Sequence, residues 1–258
     1  MNPGNSTPPS ESHEPAFERW RHRLAWTTGL GLTSEESLRR DQERQAELAP
    51  AQLAQCRQWK ADLLSSSPKI TFMLKHLELL GTPIGPEFLH CTPCQPTHAG
   101  GTDPDTGNIV LCQGRFMSKK HMEDTITHEL LHLYDQSRFS VDWSNLRHHA
   151  CSEVRASNLS GDCRWGREVR RLFFSFSKQH QACVRRRAVA SVQANPSCPD
   201  RAAAERAVNE VFDSCFKDTR PFDENVMLVH VARWRTFSIY IGKLRCRIWR
   251  ILFLFSVK

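Results

Sequence analysis

The longest apolar run of the sequence, at its end in "ILFLFSVK", falls well short of the ~20 residues that a membrane-spanning helix needs. A Gly-rich phosphate loop, a stacked-aromatic RNA motif, a helix-turn-helix pattern and internal repeats are all missing as well. Nucleotide and nucleic-acid binding therefore have only the formal charge of +7 in their favour, and a basic balance alone names no partner. The opening "MNPGNSTPPSESHEP" has no apolar core for a secretory signal, and it is not basic and acid-poor as a mitochondrial presequence is.

What is there fits one sizeable domain with ragged ends. The chain has 258 residues, 40% hydrophobic and 24% charged, enough to build a packed core. Ten cysteines are scattered along it, a usage that points to disulfides and an oxidising compartment. Without a signal peptide, that compartment is expected to be the mitochondrial intermembrane space. The group Cys91, Cys94 and Cys112, with His90 or His98, is a poor match to a structural zinc site, because a second C-x-x-C pair is missing. Disulfides are expected instead, with pairings that the sequence leaves open.

Residues 1–15 hold four prolines with Ser, Glu and Asn and read as a disordered tail. "AFERWRHRLAW" mixes aromatics with arginines, as a short surface-binding helix or a poorly ordered lead-in would. Helical patterning comes next, with a break expected at Pro50, then a helix from Pro68 to Gly81. A loop or hairpin region runs from Pro83 to Gly107, and "NIVLC" reads as a strand. Ser118 is placed to cap a helix to about Ser137. The next helix should close at Gly161, and two more lie over 165–194 and 200–216. The fold class is α+β, mostly helical with a little strand. Residues 1–50 are expected to be disordered or weakly ordered, 51–223 to form the domain, and 224–258 to be a divergent tail. That basic, Trp-bearing tail either lies on a membrane surface or has no evolved role.

The chemistry centres on "THELLHLYD". On a helix His128 and His132 stand one turn apart on one side, so both imidazoles can reach one ion. Glu129 is poorly aimed to be a ligand, but it can hold a water and take its proton. Met122, Ile126, Leu130 and Leu133 form an apolar stripe on a separate face. A hydrolytic zinc site needs a third protein ligand, and spacing favours Glu153, with the small Ala150 and Ser157 near it allowing two helices to approach closely. His148, His149 and Asp142 compete for that place. His149 shares a helical face with Glu153 and is otherwise a supporting or transition-state group, and Tyr134 is a second oxyanion donor to consider or else a packing residue. "NIVLC" is expected to be the edge strand that lines the substrate.

The stretches "GNIVLCQ", "THELLHLYD", "DWSNLRHHACSEVRASNLSGDC", "QACVRRRAVASV" and "AAERAVNEVFDSCF" closely resemble a family of mitochondrial inner-membrane zinc metalloproteases that process and assemble a membrane subunit of ATP synthase. The likeness covers roughly residues 55–223. It implies a zincin-like fold with its sheet beside the metal helix, one zinc ion on His128 and His132, and Glu129 as the catalytic residue. It also implies peripheral attachment to the inner membrane on the intermembrane-space side. The implied client is that ATP-synthase subunit, as substrate or as cargo of a non-proteolytic chaperone. Before about residue 50 and after "DTRPFDE" no likeness is seen.

Overall fold

The computed structural model describes residues 16–94, 98–103, 105–170 and 178–223. The expected N-terminal tail over 1–15, the C-terminal tail from residue 224 and Cys246 lie outside the described residues.

Two compact units divide the chain after Ala54. In the first, helix α1 (Ala16–Thr28) leads through a turn into helix α2 (Ser34–Ser66), which continues into the second unit. The start of α2 carries a capping box: the Glu36 amide donates to the Thr33 hydroxyl at 3.3 Å, and the Thr33 amide donates to the Glu36 carboxylate at 2.8 Å. The expected break at Pro50 does not occur, since α2 runs through it. The loss of one hydrogen bond is offset there by strong helix formers on both sides, "QAELA" and "AQLAQ". Residues 16–50, expected to be weakly ordered, are thus largely helical, although no described residue before Cys56 is buried.

The second unit is mostly helical with one small sheet. Ser67 caps helix α3 (Pro68–Leu79), with proline in the first turn where its missing N–H costs nothing. Three short strands come after it: β1 (Leu89–Thr92), β2 (Gly100–Thr102) and β3 (Ile109–Cys112). Their order is β1-β3-β2, with β1 parallel and β2 antiparallel to β3. "NIVLC" is therefore the central strand and not the edge. Ile109 and Leu111 are fully buried, and β2, of two glycines and a threonine, takes the edge.

Helix α4 (Lys119–Phe139) begins at Ser118, whose hydroxyl accepts the His121 amide. Its stripe Met122, Ile126, Leu130 and Leu133 packs with Ile70, Met73, Leu77, Ile109 and Leu111 into one core cluster. A second cluster joins helices α5 (Leu146–Leu159), α7 (Gln179–Gln193) and α8 (Arg201–Lys217) through Val154, Val184, Ala188, Val192, Val208 and Phe212. The short helix α6 (Trp165–Arg170) precedes α7. Cys56–Cys91, Cys94–Cys112, Cys151–Cys215 and Cys163–Cys183 are disulfides, and Cys198 is a free thiol. Cys91, Cys94 and Cys112 are thus spent on cross-links, as the sequence favoured over a structural zinc site.

Candidate metal centre

The site forms where α4, from the first core cluster, meets α5, from the second. The α5 side chains that meet α4 include Ser152, against His132, Arg155, paired with Asp135, and Ala156, in the first core cluster, whereas Ala150 packs in the second cluster, which holds no α4 residue. The approach brings Nε2 of His128 to 3.6 Å from Oε2 of Glu153, and Nε2 of His132 to 3.4 Å from Oε1. All three side chains are buried, and their donor atoms lie within 4.8 Å of one another. Ligands about 2.0–2.1 Å from a tetrahedral zinc ion stand about 3.4 Å apart, and each histidine–glutamate separation is near that spacing, the two imidazoles facing different oxygens of one carboxylate.

The electrostatics agree with that match. Burial works against a charge on His132, yet the Glu153 carboxylate outweighs it and raises the imidazole to about 9. Glu153, although burial favours its neutral form, is held well below the usual carboxylate range by His132 and by hydrogen bonds from His128, His132 and His149. A buried carboxylate facing three imidazoles demands positive charge, and a divalent cation supplies it without protonating a ligand.

Behind the donors, neighbouring polar groups orient the rings. Arg155 and Asp135, each 2% exposed, pair at 3.0 Å, and the Ser152 hydroxyl also serves Asp135. Ser152 Oγ lies 2.8 Å from His132 Nδ1, which leaves Nε2 as the His132 nitrogen that faces Glu153. His128 Nδ1 makes no hydrogen bond and stands 3.5 Å from Asp162, whose carboxylate accepts from Arg187 at 2.9 Å. The Ser191 hydroxyl donates to Glu153 at 2.6 Å. Asn195 donates its amide hydrogens to the Trp143 carbonyl and to His149 Nδ1, both at 2.8 Å. His149 must then carry its hydrogen on Nε2, 3.5 Å from Glu153.

His128, His132, His149, Glu153, Asp162 and Ser191 line a cleft of about 880 Å³, which the edge strand β2 also borders with Gly100, Gly101 and Thr102. Glu129 lies in the cleft and is fixed by the Thr102 hydroxyl, which donates to Oε2 at 2.7 Å. A Cβ on Gly100 would stand 2.8 Å from the Thr125 methyl and 3.0 Å from the Val110 carbonyl, so only glycine lets β2 pass this close to α4.

Of the residues singled out in the sequence, His128, Glu129, His132, His149 and Glu153 are brought together. His148 and Asp142 are not: both are exposed, and the Asp142 amide donates to His148 Nδ1 in the turn before α5. Tyr134 is buried in the first core cluster, away from the cleft lining. Thr102, Ser152, Asp162, Arg187, Ser191 and Asn195 were not foreseen.

Comparison with known proteins places most of the chain in one family. Residues 54–223 match the model of the Peptidase M76 family. A protein of Vanderwaltozyma polyspora named "Mitochondrial inner membrane protease ATP23" is 44% identical over 230 residues, covering 84% of this chain and 90% of that protein. Proteins of the same name from Malassezia globosa and Saccharomyces cerevisiae are 50% and 41% identical, over 66% and 83% of this chain and 76% and 98% of their own lengths. The first of these matches covers more of the chain than residues 51–223 make up, so the likeness extends past the stretches that first suggested it. No solved structure matches.

Proposed function

Because the chain belongs to the Peptidase M76 family, and so is a metallopeptidase, we propose that it is a zinc-dependent endopeptidase of the mitochondrial inner membrane. It works from the intermembrane-space side, processes the precursor of a membrane subunit of ATP synthase and assists assembly of the membrane sector. The observation that carries the catalytic part is the convergence of His128, His132 and Glu153 beside Glu129. The relatives' names support the location, and four disulfides suit an oxidising compartment. Among the described residues no helix is long and apolar enough to cross a membrane, which accords with peripheral attachment.

In this reading His128, His132 and Glu153 hold the zinc, with the His132 ring oriented from behind by Ser152. When bound, zinc acidifies water and polarises the scissile carbonyl. Glu129, oriented by Thr102, takes the proton of the attacking water and delivers it to the leaving amine. His149 presents Nε2–H to the oxyanion, a role that Tyr134 is too deeply buried to share. The extended substrate pairs along the free edge of β2, which takes the part expected of "NIVLC" and keeps the zincin-like reading of the fold.

The test is Glu129→Gln, assayed for cleavage of the subunit precursor and for assembly of the membrane sector at matched protein levels. Lost cleavage with retained assembly is expected. A variant that still cleaves overturns the catalytic assignment, and loss of both activities overturns their independence.

A further inference from the structure

Helix α1 is amphipathic, and its apolar side is uncovered. Phe17, Trp20 and Leu24 recur at i, i+3 and i+7, which places them on one face, and they are 65%, 58% and 48% exposed. The opposite face is engaged: the Arg39 guanidinium lies 4.9 Å from the centre of the Trp26 ring, and His22 Nε2 is 3.9 Å from Glu36. The exposed apolar face is therefore not the side on which α1 meets α2.

The charges beside it are basic. Arg21 and Arg23 flank the apolar face, Arg19 falls nearer the side that meets α2, and Glu18, bonded to Arg21, is the helix's one acid. Six of the nine large exposed hydrophobic side chains among the described residues belong to the first unit, Leu30, Leu38 and Leu48 being the other three. An aromatic and aliphatic stripe on a short helix, with arginines at its margins, has the composition of a helix that lies in the plane of a bilayer. Its rings sit at the headgroup boundary and its guanidinium groups meet lipid phosphates.

We propose that α1 is the element by which this chain docks on a membrane, lying flat on an anionic bilayer through Phe17, Trp20 and Leu24. The occupant of this face is a lipid surface, because the face joins apolar area to net positive charge. A second copy would bring the same arginines against each other. The inference rests on the inner-membrane reading above, to which it adds the docking element and the lipid chemistry.

The test is flotation of the full-length protein with vesicles of phosphatidylcholine alone, or with about a third of the lipid replaced by phosphatidylglycerol. Wild type and a Phe17→Ser/Trp20→Ser/Leu24→Ser variant are compared, and peptide hydrolysis is measured on both. Wild type should bind the anionic vesicles at least about tenfold more tightly than the neutral ones, and the variant should lose about tenfold or more of that binding. Hydrolysis of a soluble peptide should be unchanged. Equal binding by the variant overturns the proposal by placing the docking element elsewhere in the chain. No preference for anionic lipid, or a wild-type dimer that the variant abolishes, overturns it too. A protein that binds vesicles through α1 but hydrolyses nothing leaves this proposal standing and removes the peptidase reading, so the two fail separately.

Discussion

Helix α4 buries thirteen of its 21 residues, whereas α1 and the part of α2 before Cys56 bury none. Both regions are helical, and both start helices with well-formed caps, at Ser118 and at Thr33. They differ in the turns beyond the cap. In α4 an apolar stripe meets a core on one face while buried charges gather on another. In the first unit, helices rest on capping, i to i+3 and i to i+4 pairs and one cation–π contact, each a small and solvent-exposed term. The α4 region can therefore fix a constellation of polar atoms to within a fraction of an ångström. The first unit keeps its apolar side chains outside, available to another surface.

That contrast orders the expected effects of substitution. Glu129→Gln should lower peptide hydrolysis by about 10²–10⁴-fold with the fold and metal content intact, as single-turnover kinetics and metal analysis would show. Arg155→Met leaves Asp135 buried without its partner and also releases the Asp218 and Arg220 carbonyls. A cost of about 3–5 kcal/mol is expected by denaturant unfolding. If Arg155→Met cost no more than a surface change, the buried pair would not be what distinguishes this region. Ser152→Ala sharpens the point, since it removes the hydroxyl behind His132 and leaves the Arg155–Asp135 pair in place. Zinc affinity should fall about 10–100-fold in competition with a chelator, with Ser152→Thr restoring most of it. The smallest effect belongs to the first unit: Thr33→Ala should cost about 1 kcal/mol of local helix stability, read by hydrogen exchange in α2, and leave zinc affinity unchanged.

The site was legible in the sequence where its residues sit together on one helix. Spacing alone puts His128 and His132 on one side, and the stripe from Met122 to Leu133 shows which face turns inward. Glu153 was legible at one remove, through its separation from His132 and its place on the next helix. Thr102, Asp162, Arg187 and Ser191 were not, since they arrive from β2, the turn after α5, and α7. Nothing local in a serine or an arginine says which distant carboxylate it will meet. The place of "NIVLC" in the sheet failed for a similar reason. Its apolar run shows a buried strand, but the order of strands depends on β2, whose glycines carry no β signal of their own. Pro50 read as a stop because the local cost was legible while the helix-forming surplus around it, summed over many residues, was not. The disulfide pairs had no sequence signal at all, since ten scattered thiols admit too many pairings.

The most direct test of the central claim is zinc content per folded, oxidised chain, for the wild type and for His128→Ala. One zinc ion per wild-type chain, lost from a variant whose circular dichroism is unchanged, is the predicted result. Correctly folded, oxidised wild-type protein that takes up no zinc would contradict the account and leave His128, His132 and Glu153 as a buried polar cluster without a catalytic role.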